Sequence, residues 1–157
     1  MARHFPHIPH LSERIRDLRR QYERDLTLLV GIPSVSSEPD HAADVRRCAE
    51  AAAGLLESIG GTTEIVPTGG HPVVHGSLIT DARYPTVAIY NHLDVQPADP
   101  AEWNSDPFTL TVSKGRYYGR GTTDDKGPAL AAMTAAGLAH DAGIPLNFQF
   151  LWELEEE

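Results

Sequence analysis

His92 and Asp94 stand two residues apart just after an apolar run, Thr86 to Tyr90. A neutral imidazole binds zinc-like ions well. A carboxylate two positions on is placed to accept its other N–H, which fixes the tautomer and raises the basicity. About thirty residues later comes Gly119-Arg120-Gly121-Thr122-Thr123-Asp124-Asp125-Lys126-Gly127-Pro128. Its glycines permit tight turns, and its adjacent carboxylates repel each other unless a cation or hydrogen bonds offset the charge. A third acidic group, Trp152-Glu153-Leu154-Glu155-Glu156-Glu157, follows a second apolar run. Each piece also has a plain reading: a surface turn, a loop before a helix, a solvated acidic stretch. A phosphate-cradling loop competes for the second segment, since glycines precede a helix. It lacks the Gly-Lys-Ser/Thr ending of a P-loop, and paired aspartates repel phosphate.

The elements around these segments decide whether they can meet. Ser12 is a candidate N-cap for a helix whose apolar positions are Ile15, Leu18, Tyr22, Leu26 and Leu29, ending near Gly31 because Pro33 disfavours helix at Ile32. A second helix follows Asp40, with Val45, Cys48, Ala52, Leu55, Leu56 and Ile59 on one face and Gly60-Gly61 as its stop. Strands are expected at Thr62–Val66, Val73–Ile79 and Thr86–Tyr90, the last so apolar that it reads as buried on both faces. Phe108–Val112 and Arg116–Tyr118 read as a hairpin through Lys114-Gly115. Ala129–His140 reads as a helix closed by Gly143, and Leu146–Trp152 as a final strand. Helices alternating with strands predict an α/β fold, a mixed sheet sandwiched by helices. Ligands in open α/β sheets gather at the carboxyl ends of strands, where His92 and Asp94 fall.

Composition excludes several classes. A formal charge of −9 over 157 residues argues against nucleic acid as a partner. The longest apolar runs are far shorter than the ~20 residues of a membrane span, which argues against a membrane partner. The start, Met1-Ala2-Arg3-His4-Phe5-Pro6, does not resemble a secretory signal, and Cys48 has no second cysteine to pair with, so a cytoplasmic protein is the default expectation. His4, His7 and His10 lie outside the motifs and read as surface residues.

Taken together and in this order, the three segments resemble the co-catalytic zinc exopeptidases, the family of carnosinase-like dipeptidases, glutamate carboxypeptidase, aminoacylase and succinyl-diaminopimelate desuccinylase. Leu29-Val30-Gly31-Ile32-Pro33-Ser34-Val35-Ser36 and Trp103-Asn104-Ser105-Asp106-Pro107-Phe108 add to the match, which runs from about Leu26 to Glu157 and looks nearest the dipeptidase branch. The resemblance implies a dinuclear metallopeptidase with two divalent ions, zinc first and cobalt or manganese compatible. It implies His92 and Glu157 as metal ligands, Asp124 as the carboxylate bridging both ions, and Asp94 and Glu156 as the catalytic pair: Asp94 the histidine's partner, Glu156 the general base. A slip of one residue would move the glutamate roles to Glu155 and Glu156. The Asp124–Asp125 peptide is expected to be cis.

Relatives usually have glycine where Leu154 stands, so a crowded turn is expected there. The family's third motif reads Glu-Glu-x-Gly-Ser, and it takes a further acidic ligand and a C-terminal histidine that these residues do not contain. The sequence therefore reads as the N-terminal part of a catalytic domain, residues 1–157, with a leader and first helix to about residue 25. The dimerisation domain is absent. The full-length relative is expected to be a homodimer acting on small peptides or acylated amino acids, and the 157 residues alone to be inactive. A non-catalytic truncated product, or a metal- or partner-binding module on the same scaffold, are the other readings.

Overall fold

A computed structural model describes residues 8–157. His4 and His7 lie outside the described residues. His10 is exposed as expected and pairs with Glu13.

Helix α1 spans Leu11–Val30. Its first residue precedes Ser12, so Ser12 is not the N-cap: His10 holds that position, its carbonyl accepting from Glu13 and Arg14. Only the second half of the apolar stripe reaches the core. Leu26, Leu29 and Val30 are fully buried, whereas Leu11 and Ile15 are exposed because the helix overhangs its neighbours. An apolar groove of about 370 Å³ runs beside Ile15, Leu18, Ala131 and Ala135. A 3-10 turn, Pro39–His41, leads into α2, Ala42–Ser58, which buries Val45, Cys48, Ala52, Leu55 and Leu56. The chain leaves α2 through Gly60, whose φ of 88° is open to glycine at little cost.

The main sheet contains β1 (Thr62–Val66), β2 (Val73–Leu78), β3 (Thr86–His92) and β6 (Asn147–Glu153), in the order β1-β2-β6-β3. The β1–β2 and β2–β6 pairs are antiparallel and β6–β3 is parallel, so the sheet is mixed. Phe148, Phe150 and Trp152 alternate on one face of β6 and join Val74, Leu78, Leu56 and Leu130 in the core. Gly76 sits opposite Phe150. A Cβ there would lie 2.7 Å from Leu56 Cδ1, so the missing side chain is what lets α2 lie flat on the sheet.

The expectation that the Thr86–Tyr90 strand is buried on both faces is wrong. It is an edge strand among the described residues. Val87 and Tyr90 are exposed, Tyr90 at 58%, and only its end, Asn91 and His92, is buried. Apolar composition reports a strand, not its place in the order. Tyr90 and its register partner Leu151 leave the sheet face away from Phe150 open.

The short hairpin is β4 (Thr111–Ser113) with β5 (Arg116–Tyr118), a separate ribbon turning at Lys114 and Gly115. Its first strand starts later than expected. The Asp106 carboxylate accepts from the Phe108 N–H and the Thr109 hydroxyl, which commits those residues to a turn. Helix α3, Lys126–Asp141, starts three residues before the expected Ala129 and packs Leu130, Met133 and Ala136 into the core. No helix of the described residues is long and apolar enough to cross a membrane.

Candidate metal centre

The parallel pairing of β3 with β6 brings two of the three segments together. His92 is the register partner of Glu153, so both strands end at the same level and their following loops run side by side. Leu93 N–H donates to Glu153 O at 2.8 Å, continuing the pairing one step past the strand. Leu154 is fully buried and packs into the core rather than crowding the turn.

The remaining segment, Gly119 to Pro128, is brought in by Lys126. This side chain is 0% exposed, and its ammonium donates to Leu29 O (2.9 Å) and Ile32 O (2.7 Å) at the end of α1. It thereby ties the start of α3, and the aspartates before it, to the turn that follows α1, adding a charged donor to two carbonyls that already accept from the Ile32 and Ser34 N–H groups. Burial pushes its pKa down. Gly127 allows the tight turn: a Cβ there would fall 2.1 Å from Thr122 O. The Asp124–Asp125 peptide is cis. Asp125 turns away and accepts from Asn91 Nδ2 at 2.7 Å.

His92, Asp124 and Glu157 meet, with candidate ligand atoms all within 4.8 Å of one another. His92 Nε2 lies 2.9 Å from Asp124 Oδ1 and 3.9 Å from Glu156 Oε2. Donors on one tetrahedral ion, with bonds of ~2.0–2.2 Å, sit roughly 3.4 Å apart, between the 2.9 Å of His92–Asp124 and the 4.8 Å that bounds the three groups. Asp124 is 73% exposed at its side chain while His92 is nearly buried, so the group has one dry wall and one open side. Glu157 Oε2 accepts from Gln96 Nε2 at 2.6 Å.

Asp94 is 0% exposed. Its Oδ2 accepts from Ser36 Oγ (2.6 Å) and from the Glu157 N–H (2.9 Å). Its Oδ1 and His92 Nδ1 face each other at 3.4 Å, both buried and neither with a closer partner. Burial would lower the His92 pKa. The hydrogen bond to Asp124 and the charges of Asp94, Asp124 and Glu156 outweigh it and hold the imidazole above its ordinary 6.5. An imidazole ringed by carboxylates, with one nitrogen backed by a buried carboxylate and the other aimed at exposed ones, is a donor set that suits a divalent cation.

Glu155 does not join the group. Its Oε2 accepts from the His71 N–H at 2.8 Å on the other side of the loop. Tyr90, on the open sheet face, donates to Glu153 Oε2 at 2.6 Å, and that bond pushes its pKa up to about 12. Sequence reasoning gave no role to Ser36, Asn91, Gln96 or Lys126. Two of them sit beside motif residues, Asn91 before His92 and Lys126 after Asp125, and adjacency was the available signal.

Known proteins resemble the chain over most of its length. The sequence profile of peptidase family M20/M25/M40 matches residues 88–157. The chain is 37% identical to the Cys-Gly metallodipeptidase dug1 of Schizosaccharomyces pombe, over 94% of this chain and 34% of that protein. It is 36% identical to the Beta-Ala-His dipeptidase of Rattus norvegicus, over 79% of this chain and 28% of that protein. Its fold superposes on human carnosine dipeptidase 1 with a TM-score of 0.83 and 33% identity, covering 92% of this chain and 34% of that one. The chain thus spans about a third of the length of the relatives it matches.

Proposed function

Because the chain belongs to peptidase family M20/M25/M40, we propose that it forms the metal-binding part of a hydrolase that cleaves the amide bond of dipeptides or related small substrates near a free terminus. The observation that carries this reading is the meeting of His92, Asp124 and Glu157 at the carboxyl ends of β3 and β6. Relatives named for Cys-Gly and Beta-Ala-His cleavage support the dipeptide class.

A bound divalent ion supplies Lewis acidity that polarises a carbonyl and acidifies a water. In this reading there are two ions, zinc by preference, with cobalt and manganese compatible with the same donors. His92 would hold an ion through Nε2, and Asp124 and Glu157 through carboxylate oxygens. Asp94 keeps His92 in place through Nδ1. Glu156, half exposed and close to His92, is the base that takes a proton from water and passes it to the leaving amine. Asn91 holds Asp125, and Lys126 holds the loop that carries both aspartates.

The share of the relatives' length that is matched supports reading residues 1–157 as one part of a larger catalytic domain. Three protein donors are too few for two ions, so these residues alone are expected to give no measurable turnover. The test is hydrolysis of a dipeptide panel with added zinc, cobalt or manganese. In the protein at its relatives' length, turnover should require metal and fall about 10²–10⁴-fold in Glu156→Gln. Turnover indifferent to metal, or kept in Glu156→Gln, would sink the proposal. Metal-dependent turnover by the 157 residues alone would show that three donors suffice.

A further inference from the structure

The Leu29–Ser36 segment supplies no donor in this scheme, yet its last residue touches the most buried group of the centre. Ser36 Oγ donates to Asp94 Oδ2 at 2.6 Å, and the Glu157 N–H reaches the same oxygen at 2.9 Å. Held from two sides, the carboxylate cannot turn without breaking both bonds, and at 0% exposure no bulk water replaces a lost donor. Its other oxygen therefore stays aimed at His92 Nδ1.

Ser36 is itself held. Its carbonyl lies 3.1 Å from His71 Nε2, and His71 is anchored in turn through its N–H to Glu155. Two residues earlier, Ser34 Oγ donates to Leu93 O at 2.7 Å and Ser34 O accepts from the Val95 N–H at 3.0 Å. The segment is thus laced to both neighbours of Asp94, and Ser36 is the one side chain in it that reaches the carboxylate.

We infer that Ser36 is a positioning residue of the metal centre: acting through Asp94, it fixes the orientation in which His92 presents Nε2. This rests on the reading of His92, Asp124 and Glu157 as ligands. Removing a group that orients a metal-binding histidine typically weakens metal binding about 10–100-fold. Ser36 acts one bond further out, so the lower end, about tenfold, is expected.

The experiment compares the unaltered protein with Ser36→Ala, Ser36→Thr and Ser34→Ala. Cobalt affinity is read from the visible absorption of the bound ion. The His92 Nδ1–H signal of the zinc-loaded protein is read by NMR. Ser36→Ala should bind cobalt about tenfold more weakly, with altered bands and a displaced Nδ1–H signal. Ser36→Thr, which keeps the hydroxyl, should recover both. Ser34→Ala loosens the same segment without touching Asp94, and should lower resistance to urea while leaving the His92 signal in place. Equal cobalt affinity and an unmoved Nδ1–H signal in Ser36→Ala would overturn the role of Ser36 and leave the ligand reading standing. So would failure of Ser36→Thr to recover, or an equal displacement in Ser34→Ala. No cobalt binding by the unaltered protein would overturn the ligand reading and this inference together.

Discussion

Replacing Lys126 by Met keeps a stem of similar length and removes only the ammonium. The structure sets the magnitude. Leu29 O and Ile32 O each lose a charge-assisted bond, of 2.9 and 2.7 Å, in a place where the lysine is 0% exposed. Each carbonyl keeps a backbone donor, Leu29 O the Ile32 N–H and Ile32 O the Ser34 N–H, so the loss is of two bonds to a charged donor, about 1.5–3 kcal/mol each and about 3–6 kcal/mol together. Against this, the variant no longer buries an ammonium, which recovers part of that loss. A net loss of about 2–3 kcal/mol is expected, measured as a lower urea midpoint at unchanged slope. The pH dependence gives a second check. Burial lowers the lysine's pKa in the folded chain, so below its ordinary 10.5 the unfolded chain binds more protons than the folded one. Stability from this group therefore rises with pH across the window between the lowered value and 10.5. The gap between unaltered protein and Lys126→Met should widen as pH rises through that window. A variant as stable as the unaltered protein, or a gap that narrows with pH, would refute the reasoning.

In protein stripped of metal by chelation, His92 has a raised pKa, so its contribution is full below about pH 6.5 and is lost as pH rises through the folded value. The stability difference from His92→Gln should accordingly shrink from about pH 6.5 upward, and urea titrations showing it grow would contradict the geometry. Glu157→Ala should weaken cobalt binding in a spectroscopic titration while Glu156→Ala leaves it unchanged; the reverse would mean the glutamate roles are shifted by one residue. Gly76→Val should cost about 1–3 kcal/mol through the clash with Leu56, checked by urea unfolding. Trp152→Ala should cost about 3–5 kcal/mol, since this fully buried ring packs edge-on against Phe150.

The helices and strands were legible because apolar periodicity survives in Leu26, Leu29, Val45, Cys48, Phe148 and Phe150, the residues that became the core. His92, Asp94 and Asp124 were legible because each sits in a short contiguous motif. What sequence could not supply was strand order, which turned an apolar run into an edge, and the overhang that left Ile15 in solvent. Ser36 and Lys126 were hidden for another reason. Their partners lie 58 and 94 or more residues away, and a serine or lysine gives no sign in one dimension of what it will hold in three.

The strand order has a consequence for how the protein is made. β6 inserts between β2 and β3, although β3 is complete about 55 residues before β6 begins. At ~5–20 residues per second, a ribosome leaves β2 and β3 without their shared neighbour for roughly 3–11 seconds. Through that interval Ile89 lacks its neighbouring strand, and His92 and Asp94 cannot meet Glu157. On the proposed reading a nascent chain can therefore complete its ligand set only after this strand has emerged, while the exposed edges are for those seconds a natural target for chaperones.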